Sequence, residues 1–276
     1  MNKEGYSAPI LATDLDGTLI PLPDDLHNVR DLQALRRKLV EHQVTLIYVT
    51  GRHLRSIRQA ITEHELPEPD WIIADVGTTI YARDATGAWN VVEGYATHLE
   101  ATVAELELTG IRDRLSELSA LKMQEAEKQG RFKLSYYCSR QNMAGLVAQM
   151  HALLERLQAP CAITQSVDPY SGEGLIDILP RAASKAAALQ WWAGAMQRET
   201  ESIVFAGDSG NDLPALTAGF RSIVVANADP DLVGSVTRSH AAAGWQNRLF
   251  VARQSATSGV LQGCDWFGMF DGTIGH

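Results

Sequence analysis

The sequence predicts an α/β fold: a Rossmann-like parallel sheet flanked by helices, with a smaller α+β domain inserted into it. The first observation is a set of short apolar runs that each end in polar residues. These runs lie at 10–12, 44–49, 71–73, 203–205 and 223–225. Runs that are apolar at consecutive positions are typical of strands covered on both faces. The second observation is that helical patterns alternate with these runs, which is the signature of a parallel βαβ sheet.

Two of the helical patterns are well defined. In the first, apolar side chains recur at spacings of three and four residues, at Leu26, Val29, Leu32, Leu35 and Leu39. The segment 186–196 repeats much the same spacing. Such spacing places apolar side chains on one helix face, so both segments are predicted to be amphipathic helices packed on the sheet.

The middle of the chain predicts the inserted domain. A hairpin is expected from 78–82 and 89–92, followed by helical patterns at 99–118 and 143–157. An alternating strand at 132–138 and strands near 162–167 and 175–179 complete the set. Half-buried strands with two helices make an α+β domain, which we assign to 85–172. The core then consists of 1–84 and 173–276.

Composition and charge narrow the classes of partner. The 276 residues are 45% apolar, which is enough for a sizeable core and argues against intrinsic disorder. The net charge of -9, without a Lys/Arg-rich run, argues against nucleic acid or an anionic membrane as the main partner. The apolar run at Ile10 is too short for a signal peptide or a membrane span. We therefore expect a small-molecule partner and a monomer or weak homodimer.

Cysteine usage indicates the compartment. Cys138, Cys161 and Cys264 are too few and too scattered for a disulfide framework, and they lack metal-binding spacing. We therefore expect packed thiols in a protein of the reducing cytoplasm.

The sharpest chemical signal is Asp14-Leu15-Asp16-Gly17-Thr18, directly after the first apolar run. Two carboxylates about 4 Å apart repel by roughly 4 kcal/mol at an effective dielectric of 20, so the pair needs a cation, a proton or solvent. Mg²⁺ is the natural candidate, because it prefers oxygen ligands and completes its shell with water and phosphate.

A further acidic motif follows the fourth run, in Gly207-Asp208-Ser209-Gly210-Asn211-Asp212. The glycines permit tight turns, and Asp208 can close a metal site begun by Asp14 and Asp16. Asn211 and Asp212 can form hydrogen bonds that orient the metal-ligating residues. We include Asp212 among the candidate metal-site residues and Asn211 among the candidate substrate-binding residues.

Two other motifs suit an anion. Thr50-Gly51-Arg52 ends the second run just before a helical pattern, so its hydroxyl and free amides can hold a phosphate. Lys185 begins a predicted helix, where a cation opposes the helix dipole and is more easily explained by a bound anion. Each motif alone also fits a solvated turn or an exposed lysine. Together, at the ends of core strands, they favour a single site.

These motifs resemble those of the haloacid dehalogenase superfamily of phosphatases, in the subclass with a type IIB cap inserted after the third strand. The matching positions are Asp14 to Thr18, Thr50, Lys185, Gly207-Asp208 and Asn211-Asp212. The resemblance implies that Asp14 is the nucleophile and Asp16 the general acid/base. It also implies Mg²⁺ held by Asp14, the Asp16 carbonyl and Asp208, with Thr50 and Lys185 on the phosphate.

Further stretches resemble sucrose-phosphate phosphatase and related disaccharide-phosphate phosphatases. They lie at 49–52, 76–81, 132–137, 176–180 and 252–261. The resemblance implies a disaccharide phosphate, such as sucrose 6-phosphate, as substrate. The cap candidates for sugar contacts are Lys133 and Asp177, with Tyr136, Ser166 and Glu173. The segment 166–174 is longer than the corresponding sugar-binding loop of that subgroup, which leaves the sugar open.

Three alternatives remain at this point. A broad-specificity sugar-phosphate phosphatase and a phosphosugar mutase share the fold. A receiver-type switch also combines a strand-end Asp, Mg²⁺, a hydroxyl and a Lys. Asp16 argues against the switch, because a second acid that activates water would shorten the life of an aspartyl phosphate. An inserted cap also implies a small ligand to enclose.

Overall fold

The computed structural model describes residues 8–102, 108–167 and 171–271. The chain forms two compact units, Met1–Val91 with Lys185–His276, and Val92–Ser184. The strands are β1 (Ile10–Thr13), β2 (Thr45–Val49), β3 (Trp71–Ala74), β4 (Thr79–Arg83), β5 (Trp89–Val91), β6 (Lys122–Met123), β7 (Leu134–Cys138), β8 (Cys161–Val167), β9 (Gly174–Pro180), β10 (Ile203–Gly207), β11 (Arg221–Val224) and β12 (Leu249–Val251). The helices are α1 (Leu26–Glu41), α2 (Leu54–Glu63), α3 (Glu93–Thr102), α4 (Leu108–Leu115), α5 (Met143–Arg156), α6 (Lys185–Ala195), α7 (Leu213–Leu216), α8 (Pro230–Ala243) and α9 (Ala256–Trp266).

The first unit is built on a sheet of order β12-β11-β10-β1-β2-β3-β4-β5. The neighbouring pairs from β12 to β3 are parallel, and the five predicted apolar runs all lie in this part. The predicted parallel core is therefore confirmed. The chain leaves β1 for β2 and β3 on one side, and β10 to β12 lie on the other. Strand order thus reverses at β1, and such a point opens a crevice beyond the carboxyl ends of the strands.

The hairpin of β4 and β5 corrects the first domain boundary. It pairs antiparallel with β3 and extends the core sheet, whereas the predicted boundary at residue 84 assigned its second strand to the inserted domain. Tyr81 and Trp89 pack against the core cluster, and this burial explains why the hairpin joins the sheet. The boundary predicted at residue 84 falls inside the hairpin turn, so the first segment of the core ends at Val91 instead.

Helix α1 follows its predicted pattern in part. Asp25 caps its start by accepting hydrogen bonds from the backbone amides of the second and third helical residues. Leu32, Leu35 and Leu39 are buried, but Leu26 and Val29 are exposed. The buried stripe is therefore narrower at the first turn than the sequence spacing suggested.

The second unit contains an antiparallel sheet of order β6-β7-β9-β8. Its core includes side chains from α4, α5 and β9, with Ile111, Leu146, Met150, Ile176 and Ile178 buried together. The pattern at 99–118 gives two helices, α3 and α4, and positions 103–107 between them lie outside the described residues.

Strand β9 corrects the second domain boundary. The sequence boundary at 172/173 would assign β9 to the core, but β9 pairs with β8 along its whole length and with β7 from Gly174 to Ile178. The second unit accordingly runs to Ser184. Separately, within the described part of the chain, no helix combines the length and apolarity needed to span a bilayer.

Candidate active site

The candidate site lies where strand order reverses. Asp14 directly follows β1, Thr50 follows β2 and Asp208 follows β10, so these side chains start from the carboxyl ends of three adjacent strands. Lys185 is the first residue of α6, which packs against the turn at Gly210–Asp212. The alternation of strands and helices thus places motifs that are up to 198 residues apart in sequence within one small region.

Lys185 is the centre of the charge arrangement. Its side chain is fully buried, and Nζ lies 2.9 Å from Asp14 Oδ2 and 2.7 Å from Asp212 Oδ1. Burial disfavours the ammonium ion, but Asp14 and Asp212 outweigh that effect and raise the pKa of Lys185 above its usual value. The buried ammonium is therefore charged and held between two carboxylates, and the exposed-lysine interpretation of this position is wrong.

Asp14 is buried and only partly satisfied. Its Oδ1 atom is inaccessible to solvent and has no hydrogen-bond partner. Burial raises the pKa of Asp14 well above its usual value, Lys185 counteracts this, and Asp212, Asp208 and Asp16 add to it. An orphaned carboxylate oxygen surrounded by other carboxylates needs a cation or a proton.

Asp208 lies on the other side of the cluster. Thr18 Oγ1 donates a hydrogen bond of 2.6 Å to its Oδ1. Burial raises the pKa of Asp208 to about 6 in spite of this hydrogen bond. Gly17 has φ of 72°, and a Cβ atom there would lie 2.4 Å from Asp208 Oδ2. The glycine of the first motif is thus required both for its backbone angle and for the close approach of the Asp208 carboxylate.

Asp212 organises the loop that carries Asp208. Its Oδ2 accepts hydrogen bonds from the backbone amides of Asp208 and Ser209, at 3.2 and 3.1 Å. Its Oδ1 is occupied by Lys185. Asn211 Oδ1 accepts a hydrogen bond from the Ser209 hydroxyl at 2.9 Å, so it also helps to shape the loop. Because both Asp212 oxygens already accept hydrogen bonds, we expect Asp212 to hold the Asp208 loop in place and not to bind a metal ion directly.

Three of the four predicted metal-site residues come together. Oxygen atoms of Asp14, Asp208 and Asp212 lie within 4.8 Å of one another. The Asp16 carboxylate is directed elsewhere, since both of its oxygens accept hydrogen bonds from Arg52, at 2.8 Å from Nε and 2.6 Å from Nη2. Only the backbone carbonyl of Asp16 remains as the ligand that the family resemblance implied.

The turn after β2 is held by a feature that sequence reasoning missed. Thr50 is fully buried, and its hydroxyl accepts a hydrogen bond from the Arg52 amide at 3.2 Å. The turn after β3 is hydrogen-bonded to the segment from Thr50 to Arg52. The amides of Asp75 and Val76 donate to the carbonyls of Arg52 and Thr50 at 3.0 and 3.1 Å. Val76 has φ of 60°, which is strained for a β-branched residue. The strand-ending Asp75 was visible in the sequence, but nothing there indicated a left-handed valine.

The predicted cap residues lie in the second unit. Lys133 is buried and Asp177 is half-buried. Ser135 Oγ donates a hydrogen bond of 2.5 Å to Asp177 Oδ1. Alternation along a strand would by itself leave Lys133 and Ser135 on a solvated face, but both are buried, and the Ser135 hydroxyl also lies 3.1 Å from the Lys128 carbonyl oxygen in the segment before β7. Sugar contacts by Lys133, Asp177, Tyr136, Ser166 and Glu173 stay predictions, and positions 168–170 of the predicted sugar loop lie outside the described residues.

The buried charge arrangement predicts a large effect of Lys185→Met on stability. Removing the ammonium leaves Asp14 and Asp212 as uncompensated buried carboxylates, so we expect the free energy of unfolding to fall by about 3–5 kcal/mol. Urea denaturation followed by circular dichroism measures this change.

Lys38→Met is the matched control, because Lys38 forms an ion pair with Asp265 in which both side chains are more than a third exposed. We expect it to change the free energy of unfolding by less than about 1 kcal/mol. Equal effects of the two substitutions would contradict the central role of Lys185.

Comparison with known proteins agrees with this geometry. A family model described as sucrose-6F-phosphate phosphohydrolase matches residues 7–268. A putative HAD-like hydrolase of Nitrosococcus oceani is 34% identical over 224 residues, covering 81% of this chain and 60% of that protein. The mannosylfructose-phosphate phosphatase of Agrobacterium fabrum is 29% identical over 262 residues, covering 94% of this chain and 97% of that protein.

Among solved structures, the sucrose-phosphatase from Synechocystis sp. PCC6803, in complex with sucrose and phosphate, shares the fold. The TM-score is 0.76 at 24% identity, covering 95% of this chain and 98% of that chain. The resemblance read from the motifs is thereby confirmed. Because the family model extends over nearly the whole chain, the protein belongs to the sucrose-6F-phosphate phosphohydrolase family.

Proposed function

We propose that the chain hydrolyses a sugar phosphate, with a disaccharide phosphate as substrate, through an aspartyl-phosphate intermediate and with Mg²⁺. The observation that carries this proposal is the environment of Asp14. One of its oxygens is paired with a buried lysine, the other lacks a hydrogen-bond partner, and the residue lies at the point where strand order reverses. A carboxylate fixed in this way beside a cation is suited to attack a phosphoryl group.

In the first step, a carboxylate oxygen of Asp14 attacks phosphorus. A bond forms between this oxygen and phosphorus, and the bond from phosphorus to the sugar oxygen breaks. The sugar oxygen takes the proton of the Asp16 carboxyl group and leaves as a neutral alcohol. Lys185, beside Asp14, and the turn at Thr50-Gly51 hold the phosphoryl oxygens.

In the second step, water attacks the phosphorus atom of the aspartyl phosphate. Asp16, now a carboxylate, accepts a proton from this water, and the bond between phosphorus and Asp14 breaks. Inorganic phosphate leaves, Asp14 is again a free carboxylate, and Asp16 carries the proton needed for the next turnover.

The acidic cluster fits Mg²⁺. Three carboxylates face one lysine ammonium, so the cluster has an excess of negative charge, and an oxygen-only donor set suits a hard cation. Asp14, through its unpartnered Oδ1, and Asp208 would hold the ion, while Asp212 supports their loop. When bound, the ion neutralises charge on the phosphate, which would otherwise be repelled by the carboxylates.

Asp14→Asn tests the assignment of the nucleophile. The amide cannot form the phosphoenzyme, so we expect phosphate release to fall to background in a malachite-green assay, with the fold retained by circular dichroism. Asp113→Asn, at an exposed position, is the control and should keep full activity. Substantial turnover by the Asp14 variant would refute the assignment, and a wild-type phosphoenzyme stable for many minutes would favour a receiver-type switch.

Removal of the metal tests the cofactor. EDTA should abolish phosphate release and added Mg²⁺ should restore it, because the excess carboxylate charge repels phosphate without the ion. Independently of activity, Asp208→Asn should weaken Mg²⁺ binding about tenfold or more by isothermal titration calorimetry. Asp265→Asn, an exposed carboxylate on α9, should leave binding unchanged. Unaltered Mg²⁺ affinity in the Asp208 variant would contradict the proposed site.

The substrate class rests on the relatives. The family model is that of sucrose-6F-phosphate phosphohydrolase, and one relative is a mannosylfructose-phosphate phosphatase. The polar groups of the second unit, including Lys133 and Asp177, supply the hydrogen-bonding capacity that sugar hydroxyls require.

A phosphate-release screen tests this class of substrate. Sucrose 6-phosphate, mannosylfructose phosphate and trehalose phosphate would be compared with monosaccharide phosphates. We expect a kcat/KM at least about tenfold higher for one disaccharide phosphate, since a site built for several hydroxyls rejects ligands that lack them. Equal values would favour a broad-specificity phosphatase. Isomerisation of a sugar phosphate without release of inorganic phosphate would favour a mutase.

The cysteines support our assignment of the chain to the cytoplasm. Cys138, Cys161 and Cys264 are free and buried. Burial raises the pKa of the Cys161 thiol to about 11, so it is protonated and unreactive at neutral pH. Packed thiols of this kind suit a reducing compartment.

A further inference from the structure

We infer that Arg52 is a positioning residue that aims the Asp16 carboxylate at the water that hydrolyses the phosphoenzyme. This inference rests on the proposed function, because it presumes the aspartyl phosphate on Asp14. The sequence suggested a phosphate contact for Arg52. The geometry assigns its guanidinium group to Asp16, through two roughly parallel hydrogen bonds of 2.8 and 2.6 Å.

Asp16 needs such a partner. Its side chain is 45% exposed and it sits on a loop beyond β1, where a short side chain can adopt more than one rotamer. A carboxylate whose two oxygens both accept hydrogen bonds from a planar guanidinium group is fixed in position and in the orientation of its plane.

Arg52 is itself anchored at three points. Its amide donates to Thr50 Oγ1, its carbonyl accepts from the Asp75 amide, and its Nη1 lies 3.1 Å from Ser56 Oγ on α2. The strained turn at Val76 completes this anchoring by donating to the Thr50 carbonyl. A strained backbone angle that persists next to reacting groups is typical of sites whose side chains are held in place before the substrate binds.

A phosphate contact by the same edge of the guanidinium would require Asp16 to be displaced. The edge formed by Nε and Nη2 is the edge that binds carboxylate and phosphate bidentately, and it is occupied by Asp16. The two roles of Arg52 therefore make different kinetic predictions. A phosphate contact acts in phosphoenzyme formation, whereas positioning of the Asp16 carboxylate acts in phosphoenzyme hydrolysis.

The test is stopped-flow kinetics with p-nitrophenyl phosphate and Mg²⁺. The leaving nitrophenolate needs no proton, so formation of the phosphoenzyme does not depend on Asp16. For Arg52→Gln we expect an unchanged first phase, a burst of nitrophenolate stoichiometric with the enzyme, and a steady-state rate about a hundredfold lower, as for loss of general base catalysis.

Further variants make the result specific. Asp16→Asn should give the same burst. The double variant with Asp16→Asn and Arg52→Gln should have the same steady-state rate as Asp16→Asn alone, because both substitutions affect one step. Arg52→Lys keeps the charge but loses the fork, so it should restore the steady-state rate only in part. Arg58→Gln, at an exposed arginine on the neighbouring helix α2, is the control and should leave both phases unchanged.

A slower first phase without a burst in Arg52→Gln would overturn the inference and assign Arg52 to the phosphate. Wild-type kinetics in this variant, or additive losses with Asp16→Asn, would also overturn it. Absence of any nitrophenolate release by the wild-type protein, or full release by Asp14→Asn, would instead refute the proposed function itself.

Discussion

The structure of the site depends on one constraint: carboxylates gathered at the carboxyl ends of adjacent strands must be neutralised. Lys185 meets this constraint in part by lying between Asp14 and Asp212, fully buried. The remaining excess of negative charge is the feature on which the proposed binding of a cation and, through it, of a phosphate depends. A net charge of -9 is therefore compatible with the small anionic substrate proposed for this chain.

The loops around this cluster are held by identifiable contacts. Gly17 lets the Asp208 carboxylate approach the first motif, and Asp212 ties down the amides of its own loop. On the opposite side, the turn at Val76 holds the segment from Thr50 to Arg52. The positive backbone angles of Gly17 and Val76, and the close approach at Gly17, thus lie in turns that carry candidate site residues.

The apolar runs predicted the parallel strands correctly because burial on both faces leaves an unbroken apolar stretch. The domain boundaries were predicted less well. The hairpin of β4 and β5 and strand β9 both lie close in sequence to the points where the chain passes from one unit to the other, and their residue patterns do not specify which sheet they join. Which sheet each strand joins depends on non-local pairing and packing, as with Tyr81 against the core and Ile176 within the second unit.

By itself the sequence determined that the candidate residues Asp14, Thr50, Lys185 and Asp208 share one edge of the sheet, because they stand at strand ends or a helix start. Only the tertiary structure decided the partners of these side chains. Arg52 pairs with Asp16 across 36 positions, and Lys185 with Asp212 across 27. The physical reason is that the position of a residue at the end of a strand fixes the edge of the sheet at which that residue lies. The distance and direction between two side chains follow only from strand register, backbone angles and packing.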